Sequence, residues 1–434
     1  MRHAFQGALG AMALAASAVL PSTAAAYTLY SQDGNQLNAD LLAVFGVMDS
    51  HDRYDGVSGA ARWQEGFAKY GLSGHTERWG GSTYGALSLV SSATWGDGDA
   101  GGVSNGSERR TSLEEGSLGW RSGGLLPALG QDGLDVSVGR QVVAVGRGFL
   151  INDDGLNAGK ALGGGGLDRG GAYYIGARHA FANTAVLKLG DAQGLHGSAM
   201  WLRSDNKAQA DTRLAVGTLD YSSAPGTVGL AYIRGLGVDA RYASPAQAQR
   251  KGMNVYSLHA EGSAGLPDTE LAAELARQEK DAGTDTAWYL QASHEFKALP
   301  GGPKLSYRFT RYSSNWDALF TGGYLGWLQG EVASNYAGPF NSNTRIHRIT
   351  LSAKPLESLT VGALFHDFRT LSQRQTLNLD GRELDLYAEW VAGEHLTVSP
   401  LIGLYRPGAD ASRGGVQNRA GTNLYAQLLL IVPF

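Results

Sequence analysis

The sequence predicts an all-β chain, a transmembrane antiparallel β-barrel, on three observations. It breaks into short segments of alternating apolar and polar residues separated by Gly, Asp, Asn, Ser and Pro clusters, as strands do when one face meets lipid and the other water. The closing stretch NLYAQLLLIVPF, 423–434, puts Leu424, Ala426, Leu428, Leu430, Val432 and Phe434 on one face, and Asn423, Tyr425 and Gln427 on the other. The 62 glycines, 19 tyrosines and 9 tryptophans favour turns, extended chain and interfacial aromatics over helices. A strand that crosses a bilayer needs backbone partners on both edges, so this one must close a ring.

Taken in order, residues 1–26 read as a cleaved secretory signal: Arg2, an apolar run over 8–20, and the small-residue end Ala24, Ala25, Ala26. Cleavage before Tyr27 leaves 27–434 as one barrel domain, with no linker-like break in composition. The net charge is −4 and loses one more unit with Arg2, which argues against a nucleic-acid partner. The absence of cysteine suits passage through an oxidising periplasm and excludes zinc–thiolate sites and thiol catalysis.

Strands are expected at 35–48, 62–79, 83–95, 110–121, 134–145, 172–180, 184–190, 195–203, 211–221 and 227–234. The back half adds 253–263, 268–277, 286–297, 304–312, 345–354, 359–369, 383–391, 396–406 and 423–434. That tally is odd, whereas single-chain bacterial barrels have an even count, so at least one of these assignments is wrong, and the front half is where to look for the error. Counting back from a periplasmic Phe434, the connections 407–422 and 370–382 are outer loops, and 392–395 and 355–358 are periplasmic turns. The parity survives, with 298–303 a turn and 277–285 an outer loop, only if 313–344 is one long extracellular connection. Within it Leu325, Leu328, Val332 and Tyr336 recur at helical spacing, which suggests a helix or irregular loop folding into the barrel mouth rather than a strand.

Alternation then assigns the lumen. Leu305, Tyr307 and Phe309 face lipid, so Arg308 faces the pore; Ile349, Leu351 and Ala353 turn Arg348 inward. Tyr173, Ile175 and Ala177 likewise put Arg178 inside, and Leu187 with Leu189 put Lys188 inside. Acids share the wall: Leu384, Leu386, Ala388 and Trp390 face out, leaving Glu383, Asp385 and Glu389 inward, while Glu331 lies in the 313–344 loop. Such carboxylates can aim an arginine fork at a passing anion, or simply stiffen a wet wall. Strict alternation places Arg140 on the face of Leu134, Val136 and Val138, so Arg140 needs a bulge or a headgroup-level position.

No cofactor or metal is called for. His347 and His366 lack ligand spacing, and Gly163–Gly166 follows Lys160 rather than preceding a Gly-Lys-Ser/Thr. Asp97-Gly98-Asp99 and Asn152-Asp153-Asp154-Gly155 are acidic enough for calcium, but turn chemistry explains them more simply.

The back third resembles the alginate-export family of outer-membrane channels in WLQGEVASNY, FNSNTRIHRITLSAKPLESLTVGALFHDF, ELDLYAEWVAGEHLTVSPLIGLYRPG and NLYAQLLL, with a weaker match at VGRQ, 138–141. The resemblance implies a monomeric barrel of 18 strands (16 or 20 being the alternatives) in a Gram-negative outer membrane, set among lipid and lipopolysaccharide. It further implies an arginine-lined constriction that passes an anionic polyuronate, served by a periplasmic export partner. The sequence reading is therefore a passive channel for anionic solutes, most specifically alginate export. Uptake of small carboxylates is the alternative, and a barrel enzyme or surface-binding barrel is a more distant one.

Overall fold

The computed structural model describes residues 27–321, 327–333, 340–372 and 377–434. The expected signal, 1–26, lies outside them, as do Leu325 and Tyr336. The strands are β1 (Tyr27–Gln32), β2 (Asn35–Ser50), β3 (Ala61–Arg78), β4 (Gly81–Gly96), β5 (Arg109–Arg121), β6 (Leu134–Gln141), β7 (Phe181–Leu189), β8 (Gly194–Arg203), β9 (Arg213–Ser223) and β10 (Gly226–Gly237). They continue as β11 (Asn254–Gly262), β12 (Thr269–Lys280), β13 (Gly283–Glu295), β14 (Lys304–Tyr312), β15 (Thr344–Leu356), β16 (Leu359–Thr370), β17 (Gly381–Gly393), β18 (Leu396–Pro407) and β19 (Asn423–Pro433).

Each strand from β2 onward pairs antiparallel with its sequence neighbours, and β19 returns to pair with β2 from Tyr425↔Ser50 to Pro433↔Leu42. The result is a closed ring of 18 strands with β1 outside the count. β1 pairs with the start of β2, Tyr27↔Ala39 to Gln32↔Asn35, on the edge that β19 leaves free. Phe434 exchanges backbone hydrogen bonds with Leu41, at 2.9 and 3.2 Å, and stacks on Tyr27 with ring centroids 6.3 Å apart. β1 thus continues the wall where β19 runs out, a strand the sequence reading did not anticipate.

The expected alternation is realised along the closing strand. Leu424, Leu428 and Leu430 are exposed on the outer face, while Asn423, Tyr425, Gln427 and Leu429 are buried inside. Connections at one end are long, 142–180, 238–253, 313–343 and 408–422, and those at the other are mostly short, such as 79–80, 224–225 and 357–358. One expected outer loop is absent: 277–285 contracts to a turn at 281–282, because β12 and β13 both run further toward that end than the apolar pattern does.

The segment that breaks the count is 172–180. It is turn and irregular chain within the 142–180 connection, and of its expected outward residues Ile175 and Ala177 are buried and Tyr173 is half-buried. Its apolar residues pack inside the barrel, where alternation carries no information about facing. The 134–145 strand likewise stops at Gln141. Residues 327–333 of the 313–343 connection are not strand.

The described parts of these two long connections fold inward and bind each other. Ile151 and Phe320 form a parallel bridge, Asn152 N donates to Phe320 O at 2.8 Å, and Trp327 Nε1 donates to Arg147 O at 2.7 Å. Phe149 and Trp327 pack with centroids 4.8 Å apart against the inward rings of Tyr289 and Tyr312. The apolar core is therefore inside the ring, made by loops against the wall.

At Arg140 the register of β6 on β7 slips between Gly139 and Gln141, and Gly139 sits at φ +121°. The slip turns Arg140 off the outer face, and of the two alternatives left open by its position the bulge is the one found. A Cβ at Gly139 would lie 2.3 Å from Gly116 O. We expect Gly139→Val to destabilise this corner by about 1–3 kcal/mol and to release Arg140, read as a lower urea midpoint with lost order at Arg140 in NMR spectra.

Candidate functional site

Four inward side chains lie in one cross-strand row: Arg308 on β14 faces Arg348 on β15, Arg348 faces His366 on β16, and His366 faces Glu383 on β17. Two cations directly opposite on one face destabilise a sheet, so this row is not explained by wall strength. Arg308 is 5 % exposed, its guanidinium lying 4.5 Å from the centre of the Trp327 ring. Its Nε and Nη2 have no hydrogen-bond partner among the described residues. A buried cation left so under-satisfied is costly, by about 1–3 kcal/mol or more per group, although the ring face returns part of that.

Arg348 lies in the field of Glu331, Asp385 and Tyr387. Asp385, on β17, is fully buried with His366 Nδ1 3.9 Å away. Glu383 does something the sequence did not suggest: its two carboxylate oxygens accept the backbone N–H groups of Val332 and Ala333, both at 2.8 Å, and so hold the tip of the 313–343 connection. Glu331 accepts from Tyr174 Oη of the other inward connection at 3.1 Å. Burial first, and then the charge of Glu383, push the Glu331 carboxyl up to about 7.

A second cluster lies on the β3–β7 side. The wall carboxylate Glu114 accepts the backbone N–H groups of His179 and Ala180 at 2.7 and 3.2 Å and lies 3.5 Å from Lys69 Nζ and 3.6 Å from Arg178 Nε. Arg178 therefore does enter the lumen, but from a connection rather than from a strand. Arg140 and Arg178 meet at Asp205, in the turn between β8 and β9, with Arg169 beside them. Burial, then the neighbouring Arg169, lower Arg178 to about 10. Burial would raise Asp205, but its hydrogen bond to Arg140 and the charges of all three arginines hold it below the ordinary carboxylate value.

The remaining expected residues stand apart. Lys188 lines a cavity of about 440 Å³ with His196, Asp220, His259 and Glu261, and Glu389 is buried on β17, four positions along from Asp385. Of the calcium candidates, Asp99 is occupied by Ser104 and Gly101 N–H groups and Asp154 by Arg169 and Ser204. Among the described residues no cluster of His, Asp and Glu suits a metal. Sequence reasoning missed Trp327, Arg169, Asp205 and Lys69; only Lys69 had a signal, sharing the inward parity of Trp63, Glu65 and Phe67.

No family model matches the chain, and no curated protein matches it in sequence. The resemblance to the alginate-export family thus finds no support there. Solved structures do share the fold. A BenF-like porin from Pseudomonas fluorescens Pf-5 aligns with TM-score 0.62 at 12% identity, over 92% of this chain and 98% of that one. Pseudomonas aeruginosa OccK2 (OpdF) aligns at 0.60 with 14% identity, over 92% and 97%, and a further structure of it, in complex with glucuronate, at 0.59. OccK5 (OpdH) of the same organism aligns at 0.59 with 10% identity, over 92% and 98%. At these identities the likeness is one of fold.

The raised Glu331 fixes a sign for pH. A carboxyl whose folded value exceeds its ordinary 4.5 favours the seated loop fully below that value, and this support is lost as pH rises through about 7. Chymotryptic cleavage within 313–343, corrected for protease activity, should rise severalfold between about pH 5 and about pH 8. Glu331→Gln should flatten that rise.

Proposed function

We propose that this chain is a passive outer-membrane channel for small carboxylate-bearing solutes. The observation that carries the reading is the Arg308–Arg348 pair, two inward guanidiniums directly opposite each other, one with unused N–H donors. A carboxylate offers a planar, bidentate acceptor that matches this fork and offsets both charges. Arg348 is tempered by Glu331 and Asp385, which suits a site that must release what it binds.

The barrel shared with a porin supports the channel reading, and the exposed apolar outer face of the ring supports residence in a membrane. On this reading the long-loop end faces outside the cell and the short-turn end the periplasm. The glucuronate complex of OccK2 makes small uronates sensible first solutes. Two inward-folded connections packed across the ring favour small solutes over the polyuronate chain that the sequence first suggested. No catalytic role is assigned to any side chain.

Charge reversal of the pair, Arg308→Glu with Arg348→Glu, should lower the anion-to-cation permeability ratio severalfold while the chain still folds, as judged by its heat-modifiable gel mobility. Reversal potentials across a planar bilayer under a salt gradient give the ratio. Unchanged potentials would remove these residues from the selectivity site.

A further inference from the structure

We propose that Arg140, Arg169 and Arg178 form a second carboxylate-binding site, held in this structure by the chain's own Asp205 as a tethered stand-in for a solute. The proposal rests on the channel reading only for how a solute would arrive, since the site itself is drawn from different residues than the Arg308–Arg348 row.

Three guanidiniums from two elements converge on one carboxylate. Arg140, freed by the β6 bulge, hydrogen-bonds Asp205 Oδ2. Arg169 Nη2 lies 3.8 Å from Oδ1, and Arg178 Nη2 lies 3.9 Å from Oδ2. Those two separations are too long for hydrogen bonds, so the acid satisfies one arginine and only neutralises the other two at a distance. Among the described residues Arg140 Nη1 and Arg169 Nε have no hydrogen-bond partner, while Arg178 Nε faces Glu114 at 3.6 Å. The donor set is larger than its occupant can use.

Accessibility separates host from guest. The three arginine side chains are 13, 4 and 6 % exposed, whereas that of Asp205 is 40 % exposed. The arginines are also braced from behind. Arg169 donates to the backbone carbonyl of Asp154 and to its carboxylate at 3.3 Å, and Arg178 rests against the buried Glu114. Asp205 is carried by the turn between β8 and β9, where Asn206 and Ser204 make the turn's own hydrogen bonds. Its carboxylate can therefore leave by side-chain rotation with the turn intact. A free carboxylate, not bound by the turn's geometry, can approach the arginines bidentately.

A tethered acid competes at a high local concentration, and the apparent dissociation constant of the free ligand is the intrinsic one divided by the fraction of time the site is free of it. Asp205 would then set a threshold, admitting a carboxylate to the arginines only when it binds well enough to displace the resident one.

The test is a saturation-transfer NMR titration of glucuronate, with glucose as the neutral control, on the detergent-folded full chain. Asp205→Asn should tighten glucuronate binding about tenfold or more, and adding Arg178→Gln should take the gain away. Asp205→Ser serves as a second removal of the charge should the Asn variant fold poorly. Unchanged or weaker binding in folded variants of both kinds would overturn the proposal and leave Asp205 a structural clamp. Because binding is read without transport, this outcome is independent of bilayer selectivity. A wild-type chain that shows no anion preference contradicts the channel reading, whatever the Asp205 variants do.

Discussion

Carboxylates on the inner wall hold the inside of this molecule in place by accepting backbone N–H groups from its loops. Glu65 accepts those of Tyr174 and Ile175 at 2.9 and 3.1 Å, Glu114 those of His179 and Ala180, and Glu383 those of Val332 and Ala333. Adjacent N–H groups in irregular chain are donors without a ladder, and burying them unpaired costs about 1–3 kcal/mol each. A wall acid aimed at each pair removes that cost and fixes where the loop sits. These three contacts act together with the apolar packing of Phe149 and Trp327 to seat the 142–180 and 313–343 connections inside the ring.

The same carboxylates shape the electrostatics. Because Glu383 is committed to the loop tip, it is poorly placed to neutralise Arg308, three strands away along the row. Arg308 thus keeps unused N–H donors, with the Trp327 ring against its guanidinium. A low-dielectric, cation-rich position strengthens any interaction with an entering anion and raises the cost of leaving the site empty. The row stores that mismatch within a wall whose strands pair all the way round from β2 to β19. The cluster at Asp205 resolves the same mismatch differently, with an acid of its own.

What could be read from the sequence follows from where the period-two pattern applies. In β14, β15 and β17 the chain is regular and only one face is apolar, so Arg308, Arg348, Glu383, Asp385 and Glu389 were placed inward on alternation alone and are found there. The pattern fails where apolar residues bury against the inside of the ring. Tyr173, Ile175 and Ala177 looked like a lipid face and belong to a loop, and removing that segment brings the expected tally to 18. Arg140 shows the value of a violated pattern, since its misfit on β6 called for either a bulge or a headgroup-level position, and the chain has a bulge at Gly139. Pairings such as Arg140 with Asp205, or Arg308 with Trp327, join residues far apart in sequence through loop paths that no periodicity encodes.

The central claim, that inward arginines make the lumen favour carboxylates, is tested most directly by solute entry. In liposome-swelling assays with the purified chain, glucuronate and glucose have nearly the same size and differ in charge. The account predicts faster swelling in glucuronate, with the preference shrinking as added chloride screens the arginines. Equal rates, or faster entry of glucose, would contradict it.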